Sequence, residues 1–452
     1  MQEQSAQAEN ELWNAVGEVL DMEMSTVEDV QGSLARTQKG NVKSSIENCM
    51  TILYRDPVLK DAICKNELTN KIDIVKRLSW KRNGSCVTDV DMYQIQRYIE
   101  TNYGISSDKA INKAISIIAS EKSYHPIREF LEKLHWDGKS RIANLLPRFL
   151  GADDNEYTRE IMRLLMLAAI HRIYTPGCKF EIMVCLVGGQ GAGKSTFFRF
   201  LAVNDEWFTD DLKRMDDENV YSKMQGHWII EMSEMLATVN AKSIEDIKSF
   251  LSRQKETYRI PYQTYAEDRP RQCIFVGTSN NLDFLPLDRT GNRRFAPVLV
   301  HQERVEKHIL ADEKESREYM VQAWAEAMVI YKNCAHELKL SKEMEEYLKE
   351  MQKQFMPEDT KVGVIQAWLD DCTEEYVCSE MIYREALQHE YEEPKQWEIK
   401  EINCIMNTCI EGWEKISSHR FGKYGLQRGW KRRTDMQGFS GLPDNAQTPF
   451  KE

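Results

Sequence analysis

A glycine-rich segment between two apolar runs carries the residues with the clearest chemistry in this chain. Residues 182–201 read IMVCLVGGQGAGKSTFFRFL and hold a complete G-x-x-x-x-G-K-[ST] spacing from Gly188 to Ser195. Glycines allow backbone N–H groups to turn toward a phosphate chain, and the helix that follows directs its positive end at the same anion. Lys194 can neutralise the β- and γ-phosphates, and the Ser195 hydroxyl can bind Mg²⁺. The pattern therefore predicts a P-loop that binds ATP with Mg²⁺. The residues expected at the nucleotide are Gly188, Gly189, Gln190, Gly191, Ala192, Gly193, Lys194, Ser195 and Thr196.

Two glutamates after a later apolar run are candidates for metal binding and base catalysis. Residues 227–234 read HWIIEMSE, so that Glu231 ends an apolar strand and Glu234 follows close behind. A P-loop site needs an acidic group at a neighbouring strand end to hold Mg²⁺ or to orient water. Either glutamate could take that part, and a helix start with ordinary surface acids is the alternative.

An amide and an arginine pair follow further downstream. Residues 273–281, CIFVGTSNN, predict a strand between the P-loop strand and the acidic strand, with Asn280 at its end. Asn280 could position the attacking water and sense the γ-phosphate, although Asn is also a common turn residue. Arg293 and Arg294 follow a glycine turn and could supply the fixed cation that phosphoryl transfer needs, which ring ATPases take from a neighbouring subunit. Surface solvation is the alternative for this pair.

The apolar runs around these groups predict an α/β fold. They are short, bounded by turns and separated by helical patterns, which is typical of a parallel sheet covered on both faces. The expected regions are a polar lead (1–35), a helical domain (36–150), the nucleotide-binding domain (151–302), a charged helical extension (303–357), a small domain of three helices and a hairpin that resembles a winged helix (358–440), and a tail (441–452).

Composition restricts the class of protein. The chain has 452 residues, a net charge of −12 and eleven cysteines without C-x-x-C pairs. We expect reduced thiols, no zinc knuckle and a cytoplasmic setting, with no signal peptide and no membrane span. The negative charge argues against indiscriminate coating of nucleic acid but permits a locally basic channel.

The order of these motifs resembles the virulence-associated protein E (VapE) family. The P-loop, the acidic strand, KSFLSRQKETYRIPY, TSN and TGNRRF follow one another as in that family, and YHPIREFLEKLHWDGKSRI is similar to the segment before the ATPase in related phage replication proteins. The resemblance covers residues 120–300 and extends from 40 to 430, but not to residues 1–35. It implies a superfamily III helicase-like core of the AAA+ class, found in phages, plasmids and pathogenicity islands.

The resemblance also implies roles for individual residues. Asn280 matches the sensor asparagine, and the arginine pair matches the arginine-finger region. The acid pair, usually adjacent, is split here between Glu231 and Glu234, which leaves their roles open. Residues 252–271 take the place of a pore hairpin, where cations track a phosphate backbone and aromatic rings stack on bases. Its candidates for DNA contact are Arg253, Lys255, Arg259, Arg269 and Arg271, interleaved with Tyr258, Tyr262 and Tyr265. The alternative is that the tyrosines pack within strands and the arginines form ion pairs at the interface between subunits.

A basic stretch near the C-terminus is a second candidate for DNA contact. Residues 420–433 carry six basic groups and no acidic group. Arg428, Lys431, Arg432 and Arg433 could contact phosphates from the wing of a winged helix, or could only offset an acidic body.

Together these features predict a DNA helicase or translocase that uses ATP and acts in replication of a phage or mobile element. We expect the copies to form a ring, a hexamer, with the helical domain as its collar. The expected location is the cytoplasm of a bacterial host. The alternatives are an ATP-gated initiator or loader that does not unwind DNA, a non-motor ATPase switch in regulation or defence, and a small-molecule kinase, for which no lid or acceptor site is evident. The first 120 residues are too few for a primase.

Overall fold

The computed structural model describes residues 26–212, 220–232, 241–258, 266–285, 292–333 and 337–433. The side chains of residues 241–244 and of Tyr258 are outside that part. Several residues singled out from the sequence also lie outside the described residues: Glu234, Arg259, Tyr262, Tyr265, residues 1–25 and residues 441–452.

An N-terminal unit combines helices with a small sheet. Its elements are α1 (Val27–Ser33), α2 (Ile46–Arg55), β1 (Ile63–Asn66), β2 (Lys71–Ile74), α3 (Asp89–Tyr103), α4 (Asp108–Glu121) and β3 (Ser123–Tyr124). Thr88 and Ser107 cap α3 and α4, and Thr88 forms a capping box with Asp91. A three-stranded sheet in the order β2-β1-β3 accompanies these helices, and the sequence did not predict it. Strands of two to four residues are too short to show an alternating pattern.

Three helices connect this unit to the main sheet. They are α5 (Pro126–Glu132), α6 (Leu145–Leu150) and α7 (Glu156–Tyr174). Ile127, Leu131 and Phe149 belong to the same hydrophobic cluster as Val184 and Leu186 of the sheet. The sequence predicted that the nucleotide-binding domain begins at residue 151. Its hydrophobic core already includes residues before that position.

The main sheet has five parallel strands. The elements of this region are β4 (Met183–Val187), α8 (Lys194–Leu201), β5 (Phe208–Thr209), α9 (Val220–Met224), β6 (Ile229–Glu231), α10 (Ala241–Ser252), β7 (Lys255–Tyr258), β8 (Glu267–Pro270), β9 (Ile274–Ser279) and β10 (Phe295–Leu299). The strand order is β10-β4-β9-β6-β5, and all neighbouring pairs run parallel. The predicted parallel α/β sheet is confirmed, and β9 lies between the P-loop strand and the acidic strand as expected.

Both faces of this sheet are covered, which explains the uninterrupted apolar run of β4. Val184 and Leu186 face one hydrophobic cluster, whereas Met183, Cys185 and Val187 face another. Successive side chains of a strand point to opposite faces, so a strand buried on both sides reads as continuously apolar.

The charged segment after the sheet forms two helices, α11 (Glu313–Asn333) and α12 (Lys342–Lys353). Its inner side joins the core: Trp324 stacks on Trp228 with ring centroids 4.3 Å apart, and both side chains are fully buried. The helical extension predicted from the sequence is therefore also a part of the main core.

A C-terminal unit has its own core. It contains α13 (Thr360–Asp371), β11 (Tyr376–Cys378), α14 (Ser379–Met381) with a π-helical turn (Ile382–Ala386), α15 (Gln396–Thr408), β12 (Trp413–Phe421) and β13 (Gly425–Arg432). The strands form an antiparallel sheet in the order β11-β13-β12. Helices followed by a hairpin match the pattern expected from the sequence. Within the described ranges, no helix combines the length and apolar character that a bilayer crossing requires.

Candidate active site

The P-loop lies between the end of β4 and the start of α8. Gly188 adopts φ +155°, and a Cβ atom there would lie 2.6 Å from Val300 Cγ2 and 2.7 Å from the Val300 carbonyl oxygen. Gly193, with φ +77°, caps α8 in a left-handed conformation. Gly188 is required because a side chain would clash with Val300. Gly193 is required because its backbone is left-handed. The positive end of α8 therefore faces the loop, as anion binding needs.

Lys194 is held inside this loop. Its side chain is largely buried, and Nζ donates to the carbonyl oxygens of Gly188 at 2.8 Å and Gly189 at 2.7 Å. Nζ also donates to Asn280 Oδ1 at 2.9 Å, so the structure brings the predicted sensor amide to the P-loop. Burial lowers the pKa of the Lys194 ammonium, although the charge of Glu231 opposes this shift. An ammonium group held by three neutral oxygens gains a stronger partner when a phosphate enters.

Ser195 and Glu231 form the second part of the site. The Ser195 hydroxyl donates to Glu231 Oε1 at 2.8 Å, and the Thr278 hydroxyl donates to the same oxygen at 2.5 Å. Glu231 is fully buried, and its Oε2 has no hydrogen-bond partner among the described residues. The hydroxyl of Ser195 and this unpaired carboxylate oxygen are ligands of the type that Mg²⁺ binds. The residues present therefore fit a magnesium ion.

Burial raises the pKa of Glu231, whereas hydrogen bonds from Thr278 and Ser195 lower it and the charge of Asp210 raises it further. Thr278 and Asp210 were not identified from the sequence. Thr278 had a usable signal, because it lies two residues before Asn280 on a strand and therefore on the same face. Asp210 follows the two-residue strand β5, which has no clear signature.

Arg293 and Arg294 lie at the amino ends of β10 and β4, whereas the P-loop lies at the carboxyl end of β4. They precede β10, and Met183 N at the start of β4 donates to the Arg294 carbonyl oxygen at 2.7 Å. The P-loop begins five residues beyond Met183 along β4. At about 3.3 Å per residue, this distance is about 16 Å. The arginine pair therefore does not reach the P-loop of its own chain.

Glu181 holds both arginines, and the sequence did not identify it. Arg293 Nη2 lies 2.6 Å from Glu181 Oε1, and Arg294 Nε lies 3.3 Å from Glu181 Oε2. A single acid before an apolar strand is ordinary, so local sequence carries no signal for this contact.

The predicted hairpin is present as the antiparallel pair β7 and β8, and its tip, residues 259–265, lies outside the described residues. Two of its candidate cations are paired with acids. Lys255 pairs with Asp268, and Arg269 Nη2 lies 3.3 Å from Glu267 Oε2. Lys255 remains mostly exposed, whereas Arg269 is largely covered.

Arg271 corrects a prediction. Its side chain is 1 % exposed, and Nε donates to Glu256 Oε1 at 2.7 Å. Its guanidinium also lies over the rings of Phe250 and Phe275. Arg271 therefore stabilises the root of the hairpin and presents no charge to a DNA phosphate. Arg253 is the more accessible arginine of the root, although it donates to the Tyr221 hydroxyl at 2.7 Å.

The basic residues of the C-terminal hairpin divide in the same way. Arg432 donates to the carbonyl oxygens of Leu369 at 2.9 Å and Cys372 at 2.5 Å, so its guanidinium is used inside the unit, contrary to the sequence prediction. Lys431 lies 3.3 Å from Glu375, and Arg428 and Arg433 are exposed.

Comparison with models of protein families gives one match. The family model described as the virulence-associated protein E-like domain matches residues 131–357. No curated protein matches this chain. Two solved structures, described as the A form apo structure of the NrS-1 C terminal region and of its residues 305–718, are 12% identical. Each match covers 82% of this chain and 96% of the other, with TM-scores of 0.45 and 0.43. The predicted family is confirmed by the family model, which spans half of the sequence: this chain belongs to the family of proteins that carry a virulence-associated protein E-like domain.

Proposed function

We propose that this chain hydrolyses ATP and acts on DNA as a ring-shaped helicase or translocase in replication of a phage or mobile element. One observation carries the ATPase proposal. Lys194 meets Asn280 and Ser195 meets Glu231 at the carboxyl ends of neighbouring parallel strands. These four side chains supply a phosphate-binding cation, a water-orienting amide and a pair of metal ligands.

Each of these residues would have a separate role when ATP binds. The Lys194 ammonium exchanges its carbonyl partners for the β- and γ-phosphates. Ser195 and Glu231 would hold Mg²⁺, and the bound ion would supply positive charge to neutralise the phosphates. Asn280 would orient the attacking water, and its contact of 2.9 Å with Lys194 Nζ supports a position beside the γ-phosphate. Glu234 remains a candidate base.

The position of the arginine pair supports the proposed ring. Arg293 and Arg294 lie at the opposite strand ends from the P-loop of their own chain, so their part in hydrolysis requires a neighbouring copy. A closed ring gives every P-loop such a neighbour. The expected hexamer rests on the family resemblance of the sequence.

DNA contact is proposed at two places. The hairpin offers Arg253 and Lys255 at its root, and Arg259 and Tyr262 in the tip remain candidates from the sequence. The C-terminal unit has the element order of a winged helix, with Arg428 and Arg433 exposed on or beside its last strand. Exposed cations of this kind bind phosphates without reading bases.

The test is ATP turnover and strand displacement on forked DNA, compared between the unaltered protein and Lys194→Ala. We expect single strands to stimulate hydrolysis, forked DNA to be unwound, and Lys194→Ala to lose both activities. Stimulated turnover without unwinding would favour an initiator or loader. Turnover that ignores DNA in a protein that forms no ring would favour a non-motor switch.

Sharing of the site between copies has its own test. Lys194→Ala and Arg293→Ala are each expected to be inactive, and a mixture of the two should regain turnover, since some interfaces combine an intact P-loop with an intact arginine. Light scattering and tagged pull-down confirm that the copies mix. Mixed oligomers without recovered turnover would contradict a shared site.

A further inference from the structure

Four side chains near the amino ends of β4 and β10 form a connected polar group, which we name the arginine clamp: Glu181, Ser252, Arg293 and Arg294. Ser252 Oγ lies 2.8 Å from Glu181 Oε2, and Arg294 Nε donates to Ser252 Oγ at 2.9 Å. Glu181 completes the clamp through its two contacts with the arginines. Each of Arg294, Ser252 and Glu181 therefore contacts the other two.

The two arginines of the clamp differ in exposure. The side chain of Arg294 is 20% exposed and Glu181 is 12% exposed, whereas Arg293 is 64% exposed. An ion pair as exposed as that of Arg293 is weak, because water screens it. Two partners hold Arg294 in place. Arg293 is the arginine that can leave Glu181 for a stronger anion.

The surroundings of Arg293 permit that movement. Arg293 and Glu181 line a cavity of about 570 Å³ together with Lys179, Ile182 and Leu348. The Arg293 side chain can therefore change direction without displacing packed groups. Burial raises the pKa of Glu181, but Ser252, Arg294 and Arg293 outweigh it, so its pKa is below the ordinary value and the carboxylate stays charged.

The clamp is also joined to the hairpin by the chain itself. Ser252 is the last residue of α10, and β7 begins only three residues later at Lys255. The backbone N–H of Arg271, just after β8, donates to the Gln254 carbonyl oxygen at 2.9 Å. The segment between Ser252 and β7 is therefore also bonded to the end of β8. A displacement of the hairpin root therefore pulls on Ser252 and, through it, on Arg294.

We propose that Glu181 is a positioning residue that, with Ser252, braces Arg294 and presents Arg293 to the ATP bound by a neighbouring copy, and that this clamp couples the hairpin to that ATP. The inference rests on the proposed shared ATP site. It adds an assignment that the sequence left open: Arg293 contacts the nucleotide, and Arg294 supports it.

The test compares Glu181→Gln, Glu181→Asp and Ser252→Ala in the full chain. Glu345→Gln is the matched control, because Glu345 is an exposed glutamate that lines the same cavity. We expect Glu181→Gln to lower kcat by roughly ten- to a hundredfold, since misplacement of a group by about an ångström has such effects. KM for ATP and the affinity for a nonhydrolysable nucleotide should stay unchanged, Glu181→Asp should recover part of kcat, and Ser252→Ala should reduce the stimulation by single-stranded DNA more than basal turnover.

Mixing separates this role from general damage. Lys194→Ala copies carry an intact clamp, so adding them to Glu181→Gln copies should restore turnover at P-loops of the Glu181→Gln copies. No recovery in oligomers shown to be mixed, or an unchanged kcat in Glu181→Gln while Arg293→Ala is inactive, would overturn the proposal. An active Arg293→Ala variant would instead remove the shared site on which the proposal rests.

Discussion

Ser195 of the P-loop helix donates a hydrogen bond of 2.8 Å to Glu231 at the end of a strand two positions away in the sheet. The Ser195 hydroxyl can bind a metal ion that is coordinated by the phosphates. Among the described residues, Glu231 is the only one whose carboxylate contacts this hydroxyl. Because Glu231 Oε2 has no partner in the described part of the chain, it is available to bind a cation beside the Ser195 hydroxyl.

Glu231→Gln should therefore separate hydrolysis from binding. The amide keeps the shape of the side chain but loses the charge that holds Mg²⁺, so we expect turnover to fall on the order of a hundredfold or more. Nucleotide affinity, measured by calorimetry, should change little, because Lys194 and the loop N–H groups remain. Glu206→Gln, an exposed glutamate after α8, is the control. Full turnover in Glu231→Gln would exclude Glu231 as the metal ligand.

Thr278→Val should shift the acid side of the pH–rate profile. The Thr278 hydroxyl donates to the Glu231 carboxylate and favours its charged form, so its loss raises further a pKa that burial already raises. A higher pKa means that Glu231 takes up its proton at a higher pH, and turnover should begin to fall at a higher pH as the solution is acidified. Thr278→Ser keeps the hydroxyl and should keep the original profile. Identical profiles for the two variants would show that this hydrogen bond does not set the acid limb.

Gly188→Ala should damage the P-loop more than Gly189→Ala. A Cβ atom at Gly188 would lie 2.7 Å from the Val300 carbonyl oxygen, a rigid backbone atom, whereas a Cβ atom at Gly189 would meet nothing within 4 Å. We expect Gly188→Ala to weaken nucleotide binding by at least about tenfold, since Gly188 also has an unfavourable φ for alanine. Fluorescent-nucleotide titration gives the affinities. Equal losses in the two variants would mean that Val300 yields to the added methyl group.

The structure brings the predicted active-site residues together where local sequence determines their position. The P-loop, Glu231 and Asn280 each follow an apolar strand, and the carboxyl ends of parallel strands meet at one edge. Strand order alone then brought the three groups together. The family resemblance supplied the same set and was confirmed independently over residues 131–357.

The remaining contacts depend on pairing between distant segments. Glu181 meets the arginine pair only because β4 and β10 are neighbours, although more than a hundred residues separate them. Arg271 and Arg432 appeared as free cations because charge is visible in the sequence and burial is not. In the folded chain, Glu256 neutralises Arg271. Arg432 donates to two backbone carbonyl oxygens.

Arg172→Leu should destabilise the whole nucleotide-binding core. Arg172 is 1% exposed and donates to Cys273 O at 2.7 Å and Phe180 O at 2.6 Å, which joins α7 to the segments that enter β9 and β4. Leucine leaves both carbonyls unpaired, so we expect the free energy of unfolding to fall by about 2 kcal/mol or more. Arg159→Leu on the same helix removes only an exposed ion pair with Asp154 and should cost less than about 1 kcal/mol. Urea unfolding followed by tryptophan fluorescence compares the two, and similar midpoints would contradict this role for Arg172.

Arg253 and Arg271 should give opposite results in DNA stimulation and stability. Arg253→Ala removes an accessible cation of the hairpin root, and we expect a lower stimulation of turnover by single-stranded DNA with an unchanged unfolding midpoint. Arg271→Met leaves the largely buried Glu256 with only the longer contact of 3.8 Å to Arg253 Nη1, and should lower the free energy of unfolding by about 3 kcal/mol. Adding Glu256→Gln removes that buried charge, so the double variant should regain part of that stability. If Arg271→Met instead keeps its stability and loses only DNA stimulation, then Arg271 contacts DNA after a rearrangement of the root, and its ion pair with Glu256 is not what holds the hairpin.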